Sequence, residues 1–467
     1  VLLPLILLLL PGVSAPMGRA AVPQKPNIVF LFADDLGWGD LGCYGHPHAL
    51  TPNLDRLARE GTRFTQFYVT GITCCPSRTG FMTGKFPATF AKYPAGHGFG
   101  ERVTVTELLK QAGYATGHFG KWHIGNTQKP GTYGIDDIKH DDGEEDGGRK
   151  KRRAVSDAGR DAPIYDAAIR FIEKNKDRPF YVNVWGHVSH FPVNPPSAYA
   201  ARFKDVTVRE GDFGPALREK FQQVRELGGD VNQAMRNYLG DVASLDDAVG
   251  RLLQRLDDLG LRERTLVVFS SDHGPAPVKT GKDLNAPSSK ADRRPRRDYA
   301  VNMLGSAGPF RGGKHTQLEG GVRVPFILRW PGRIPAGRVD EQSVLSGIDW
   351  LPTLCALTGV NPPRADFDGE NTLNAWLGRA PHVRAKPLLW KTSSPKAPLA
   401  IRDAQWKLHL PGARRGEPEL YDVVADPAES RNLAKTQPDV VKRLTALATA
   451  WNATLPGEYD KTGAKED

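Results

Sequence analysis

The chain is poor in cysteine, with only Cys43, Cys74, Cys75 and Cys355 among 467 residues. That set does not make a disulfide framework, and the adjacent Cys74 and Cys75 are not expected to bridge each other. Long apolar runs are also scarce. Beyond the first ten residues no stretch approaches the roughly 18 apolar residues of a spanning helix, so no transmembrane segment is expected. Zinc-ligand spacing and the aromatic-basic pattern of RNA-binding modules are both missing, which argues against nucleic acid as a partner. No internal repeat is visible, which argues against a solenoid or propeller array.

What is present is an ordinary globular composition, 39% hydrophobic and 25% charged, enough for a sizeable core. The length admits one large domain with a smaller one, or two comparable domains. A net charge of +10 favours anionic partners. Forty-nine glycines and 37 prolines point to many loops between short elements. Val1 to Leu10 is almost wholly aliphatic and leads into Pro11-Gly12-Val13-Ser14-Ala15. This resembles a signal peptide, cut after Ala15 or Ala20, and implies a secreted or periplasmic location. A buried N-terminal strand is the competing reading.

Three apolar runs read as strands buried on both faces: 27–33, 180–185 and 265–271. Each ends in polar residues: Asp34-Asp35, His187 and Asp272-His273. Helical patterns fall near residues 51–58, 104–112, 165–174 and 231–259. The alternation predicts an α/β fold with a large, mostly parallel central sheet and helices on both faces. In such sheets, sites form where strands end at their carboxyl side. After about Asp368 short antiparallel strands and a terminal helix over 439–451 predict a smaller α+β subdomain. The expected division is a signal peptide over 1–20, a catalytic domain over 25–367 and a C-terminal subdomain over 368–460.

Paired carboxylates at the end of a buried strand repel each other unless a cation lies between them. Asp34-Asp35 therefore reads as a site for a hard divalent metal or, alternatively, as a helix-capping pair. Lys121 and His123 alternate around Trp122 and point the same way if the segment is extended. The charge run from His140 to Arg160 reads as a solvated loop.

The stretch Cys74-Cys75-Pro76-Ser77-Arg78 has two readings. Pro76 biases Cys75 towards an extended shape, and Ser77 can cap a helix beginning near Arg78. Cys74 beside Arg78 is then a nucleophile with a lowered pKa, or else a buried structural thiol.

The full pattern, Cys74-x-Pro76-Ser77-Arg78 followed by Thr83-Gly84, resembles the signature of the type I sulfatases of the alkaline phosphatase superfamily. Further motifs resemble that family in order: Asp34-Asp35-Leu36-Gly37-Trp38-Gly39-Asp40, Gly120-Lys121-Trp122-His123, His187 to Pro192, Asp272-His273-Gly274, Gly313-Lys314 and Glu319 to Pro325. The segment Gly39 to Pro47 looks most like the branch of arylsulfatase A and N-acetylgalactosamine-6-sulfatase. Val188-Ser189 departs from the family's usual residues, and many relatives carry Asn where His273 stands.

The resemblance implies a sulfuric ester hydrolase acting on a sulfated small molecule or polysaccharide, and a need for a formylglycine-generating or anaerobic sulfatase-maturing enzyme. It implies that Cys74 is oxidised to formylglycine, and that Asp34, Asp35, Asp272, His273 and modified Cys74 hold a divalent cation, Ca²⁺ or else Mg²⁺ or Mn²⁺. Arg78 favours ionisation of the nucleophile, Lys121 and Lys314 neutralise sulfuryl charge, His187 protonates the leaving alcohol, and His123 takes a proton when sulfate departs. Two other activities fit the same residues: phosphonate monoester or phosphodiester hydrolysis, and inactive binding of sulfated glycan.

Overall fold

The computed structural model describes residues 25–92, 98–125, 129–140, 156–288, 293–363, 366–392, 396–412 and 416–459. The signal-peptide reading and nearly all of the charge run past His140 lie outside them.

The main sheet is built on β1 (Asn27–Ala33), with β5 (Phe180–Trp185) and β6 (Thr265–Ser271) parallel on either side. Beyond β5 come β3 (Ala115–Gly120) and β4 (Asp137–His140), also parallel. Beyond β6 comes β7 (Arg323–Arg329), antiparallel to β6 and to β2 (Thr62–Tyr68). The short β8 (Arg338–Asp340) and β9 (Leu345–Ser346) pair parallel with β2. The sheet is thus mostly parallel, as expected, with β7 reversed.

Period-two alternation divides the central strands between two cores. From β1, Val29, Leu31 and Ala33 enter one core, while Ile28, Phe30 and Phe32 enter the other. The first core receives the helices Ala162–Asn175 and Val231–Asp258. The second receives the helices Cys74–Thr83, Val105–Gln111 and Trp350–Thr358. Thr104 and Glu107 close the start of the helix Val105–Gln111 with a capping box, satisfying two otherwise orphaned backbone donors.

A second, antiparallel sheet follows: β10 (Leu388–Lys391), β11 (Leu399–Asp403), β12 (Trp406–Leu410) and β13 (Glu419–Asp422). It packs into the second core together with the terminal helix Pro438–Ala453. A buried ion cluster joins the two sheets. Glu319 accepts from Lys407 Nζ at 2.9 Å and Tyr68 Oη at 2.6 Å, and its own backbone N–H donates to Glu429 at 2.7 Å.

Two local expectations are corrected. The helix starts at Cys74, with Thr73 as its N-cap residue, so Ser77 is not the cap and Cys75 is helical. Proline is tolerated in a first turn because its missing N–H has no intrahelical partner to lose. Ser77 instead donates its hydroxyl to the Gly71 carbonyl at 3.0 Å. Similarly, β3 ends at Gly120, and His123 sits at φ 55. An extended alternation from Lys121 to His123 therefore does not hold.

Candidate active site

The site lies at the carboxyl ends of β1, β3, β5 and β6, closed by the N-terminus of the helix Cys74–Thr83. Cys74 occupies the first helical position, where unpaired backbone N–H groups favour negative charge. Its Sγ lies 3.2 Å from His273 Nε2, 3.4 Å from Asp34 Oδ1, 3.4 Å from Lys121 Nζ and 3.6 Å from Lys314 Nζ. Cys74 is buried. Burial and Asp34 push its thiol up, but the cations, Lys121 foremost, outweigh them and its pKa is lowered.

Backbone pairing past the strand ends fixes the acids. Asp34 N–H donates to Val188 O at 2.9 Å, and Ser189 N–H to Asp34 O at 2.6 Å. Asp35 adopts the left-handed φ of 62°, which costs a non-glycine residue energy unless its surroundings hold it. Its N–H donates to Asp272 Oδ1 at 3.2 Å, and its carbonyl accepts from Ser189 Oγ at 3.2 Å. Burial raises the pKa of both acids, but neighbouring cations reverse this. Lys121 leads for Asp34 and holds it well below the usual range; Lys314 leads for Asp35. The corresponding ion pairs measure 2.7 and 2.9 Å.

Arg78 is fully buried and donates through Nε and Nη2 to Asp272 Oδ2 at 3.1 and 2.9 Å, and through Nη1 to Lys121 O at 2.9 Å. Phe32 and Trp185 flank its guanidinium at 5.3 and 5.1 Å. Lys314 is placed by two adjacent backbone bonds: its N–H donates to Pro275 O at 3.0 Å, and His315 N–H to Ile72 O at 2.9 Å.

Among the described residues, donor atoms of Asp34, Asp35, Cys74 and His273 lie within 4.8 Å of one another. Asp35 Oδ2 is buried and has no hydrogen-bond partner there, an acceptor that a cation satisfies. Two carboxylates suit a hard divalent ion, while thiol and imidazole are softer donors. Asp272 stands beside this group, with its carboxylate committed to Arg78 and the Asp35 N–H. Burial lowers the His273 pKa, but Asp272 and Cys74 outweigh it and push it up to about 9. A metal therefore has a proton to displace there.

His187 follows β5. Its backbone N–H and that of Val188 donate to Asp161 at 2.9 and 3.1 Å. A Cβ at Gly186 would stand 2.2 Å from Asp161 Oδ2, so only glycine fits there. Asp161 is a positioning residue that carries no motif signal in the sequence. Burial, then Lys121, pushes the His187 pKa well below its ordinary value. His190, unassigned by the sequence, also reaches the site. Its ring lies within electrostatic range of Asp34, Asp35, Lys121 and Lys314, and its Nδ1 is 2.9 Å from Phe191 O. By contrast His118 is a core residue set edge-on to Trp122 and Trp185.

Comparison with known proteins gives matches over most of the chain. The family model described as Sulfatase matches residues 26–360, and that described as N-sulphoglucosamine sulphohydrolase, C-terminal, matches 313–450. The chain is 32% identical to human arylsulfatase A, covering 91% of this chain and 88% of that one. It is 33% identical to N-acetylgalactosamine-6-sulfatase of Canis lupus familiaris, covering 85% and 74%. The solved structure of Ps i-CgsB superposes with a TM-score of 0.74 at 25% identity, covering 93% of this chain and 95% of that one.

Proposed function

The chain belongs to the sulfatase family and is a sulfuric ester hydrolase; on that premise we propose that it desulfates a sulfated glycan through residue 74, matured from cysteine to formylglycine. The observation that carries the reading is the position of Cys74 Sγ, within 3.6 Å of two lysine amines, an aspartate and a histidine.

Hydrated formylglycine at position 74 supplies a nucleophilic oxygen in place of sulfur, and a second hydroxyl through which sulfate can be eliminated. A divalent cation, Ca²⁺ or else Mg²⁺ or Mn²⁺, supplies Lewis-acid stabilisation of that oxygen's charge. Asp34, Asp35, His273 and residue 74 would hold it, with Asp272 beside them, and the change from sulfur to oxygen at position 74 makes the donor set harder.

The remaining roles belong to side chains of this chain. Lys121 and Lys314 neutralise the sulfuryl oxygens. Burial opposes their charge, but neighbouring acids, Asp34 and Asp35 first, raise both pKa values and keep the amines protonated. Arg78 holds Asp272 and adds positive charge behind residue 74. His123 accepts the proton released when sulfate departs, and His187 protonates the leaving alcohol. A specific observation favours His190 as a second candidate for this last role. Its ring lies in range of both lysines and both acids, with Nδ1 held at the Phe191 carbonyl.

A glycan substrate is supported by the 33%-identical N-acetylgalactosamine-6-sulfatase and by the net charge of +10. A secreted or periplasmic location, and maturation by a formylglycine-generating or anaerobic sulfatase-maturing enzyme, complete the proposal. The change from the nine-stranded to the four-stranded sheet supports a division near residue 368. Phosphonate monoester or phosphodiester hydrolysis and silent glycan binding are not favoured, because the matched family and the relatives at 32% and 33% identity are sulfatases.

The test is co-expression with a formylglycine-generating enzyme, followed by assay of sulfate release from 4-methylumbelliferyl sulfate and N-acetylgalactosamine 6-sulfate. Release from either is expected. Protein fully converted at residue 74 that releases sulfate from neither, yet cleaves an aryl phosphodiester, would overturn the assignment.

A further inference from the structure

Between β6 and the Lys314 loop the chain runs outward from the site. Pro275 O accepts the Lys314 N–H at 3.0 Å, Val278 is buried in the first core, and Lys279 emerges to solvent. The Lys279 Nζ lies 4.2 Å from the centroid of Phe191, the neighbour of His190. Tyr299 meets Phe191 edge-on at 6.4 Å, and Arg294 covers Tyr299 at 4.7 Å. Aromatic rings thus seat two cations, Lys279 on Phe191 and Arg294 on Tyr299.

Lys279 has no carboxylate partner among the described residues. Its charged neighbours are Lys314, Arg296 and Asp35. Desolvation, then Lys314 and Arg296, pushes its amine down from the ordinary lysine value. Asp35 offsets only part of this repulsion, being a smaller influence on Lys279 than Lys314 or Arg296, and an anion bound among the cations relieves the rest. Lys314 is already given to the scissile sulfate, so Lys279 is left for a different negative group.

We propose that Lys279, seated on Phe191, forms a subsite for a second anionic group of the substrate, a carboxylate or an additional sulfate on the sugar next to the cleaved ester. The inference rests on the glycan reading above and deepens it, because a subsite of this kind selects multiply charged saccharides over singly charged sulfate esters. The aromatic seat limits the freedom of a flexible side chain before the anion arrives, which reduces the cost of binding.

The experiment measures binding of a fluorescein-labelled chondroitin sulfate hexasaccharide by anisotropy, beside kcat/KM for 4-methylumbelliferyl sulfate. Lys279→Gln should weaken hexasaccharide binding by about five- to tenfold, more than it lowers kcat/KM for the aryl ester. Lys279→Arg should restore binding. Lys435→Gln, which removes an exposed lysine of the C-terminal region, serves as the net-charge control and should leave binding unchanged. Equal losses in the Lys279→Gln and Lys435→Gln proteins, or no loss in the former, would overturn the subsite. A wild-type protein that binds the hexasaccharide through Lys279 but releases no sulfate would overturn the proposed catalytic roles and leave the subsite standing.

Discussion

Arg78 and Asp272 form a fully buried pair in which one carboxylate oxygen accepts from both Nε and Nη2, at 3.1 and 2.9 Å. Removing one partner from such a pair strands the other charge in a low-dielectric interior. Arg78→Ala is therefore expected to lose about 3–5 kcal/mol of stability as well as activity. Arg78→Lys keeps the charge but loses the planar fork, so it should recover only part of the stability. Urea denaturation of the three proteins checks the order.

The thiol at position 74 is the encoded precursor of the proposed nucleophile. After co-expression with the maturing enzyme, the peptide bearing residue 74 should take up one iodoacetamide group, on the adjacent Cys75, instead of two, and begin reacting with a hydrazide probe. Cys74→Ala should lower kcat by about a thousandfold or more with an unchanged thermal midpoint. Full activity in that variant would remove residue 74 from the chemistry.

A cation bound at Asp34 and Asp35 stabilises the folded state by mass action. At a free concentration one hundred times its Kd, the gain is about 2.7 kcal/mol. Thermal melts in EDTA, and after adding back Ca²⁺, Mg²⁺ or Mn²⁺, should show an upward shift for the ion the site takes. Asp35→Asn should abolish that shift. Identical melts with and without each ion would count against the metal.

Leaving-group chemistry separates His187 from His190. Loss of a general acid is felt most by esters whose alcohol leaves poorly, commonly by about a hundredfold or more. The variant that damages sugar sulfate hydrolysis far more than 4-methylumbelliferyl sulfate hydrolysis, His187→Ala or His190→Ala, identifies the proton donor. Equal losses on both substrates in both variants would exclude each of them from that step.

The Glu319 cluster gives the pH dependence a definite sign. Burial raises the Glu319 pKa, but Lys407, Arg323 and Arg402 outweigh it and hold it at about 2, below the ordinary 4.5. A carboxyl group with a depressed folded pKa stabilises above its unfolded pKa, and that contribution is lost as pH falls towards the folded value. The loss should thus run from about pH 4.5 down to about pH 2, and amount to roughly 3 kcal/mol. Glu319→Gln should be less stable at pH 6 and should lack this part of the acid slope. Urea midpoints at pH 6 and pH 3 measure it.

The sequence by itself determined the strands, because β1, β5 and β6 are continuous apolar runs that only a sheet covered on both faces can bury. It also determined which polar residues end those strands, and hence that Asp34, Asp35, His187, Asp272 and His273 come to one edge. The four short strands after residue 388 were equally plain from their apolar clusters and turns. Tertiary structure alone decided the reversal of β7, since a strand's apolar pattern is the same in either direction. It decided that the helix begins at Cys74 rather than at Arg78, because Pro76 suits a first turn as well as an extended approach. It placed His190 among the lysines and acids, set Asp161 beneath the His187 loop, and brought Lys279 onto Phe191 across 88 positions of chain. Local sequence can fix an element's type and its end, but contacts between segments distant in sequence are chosen by how the two cores close.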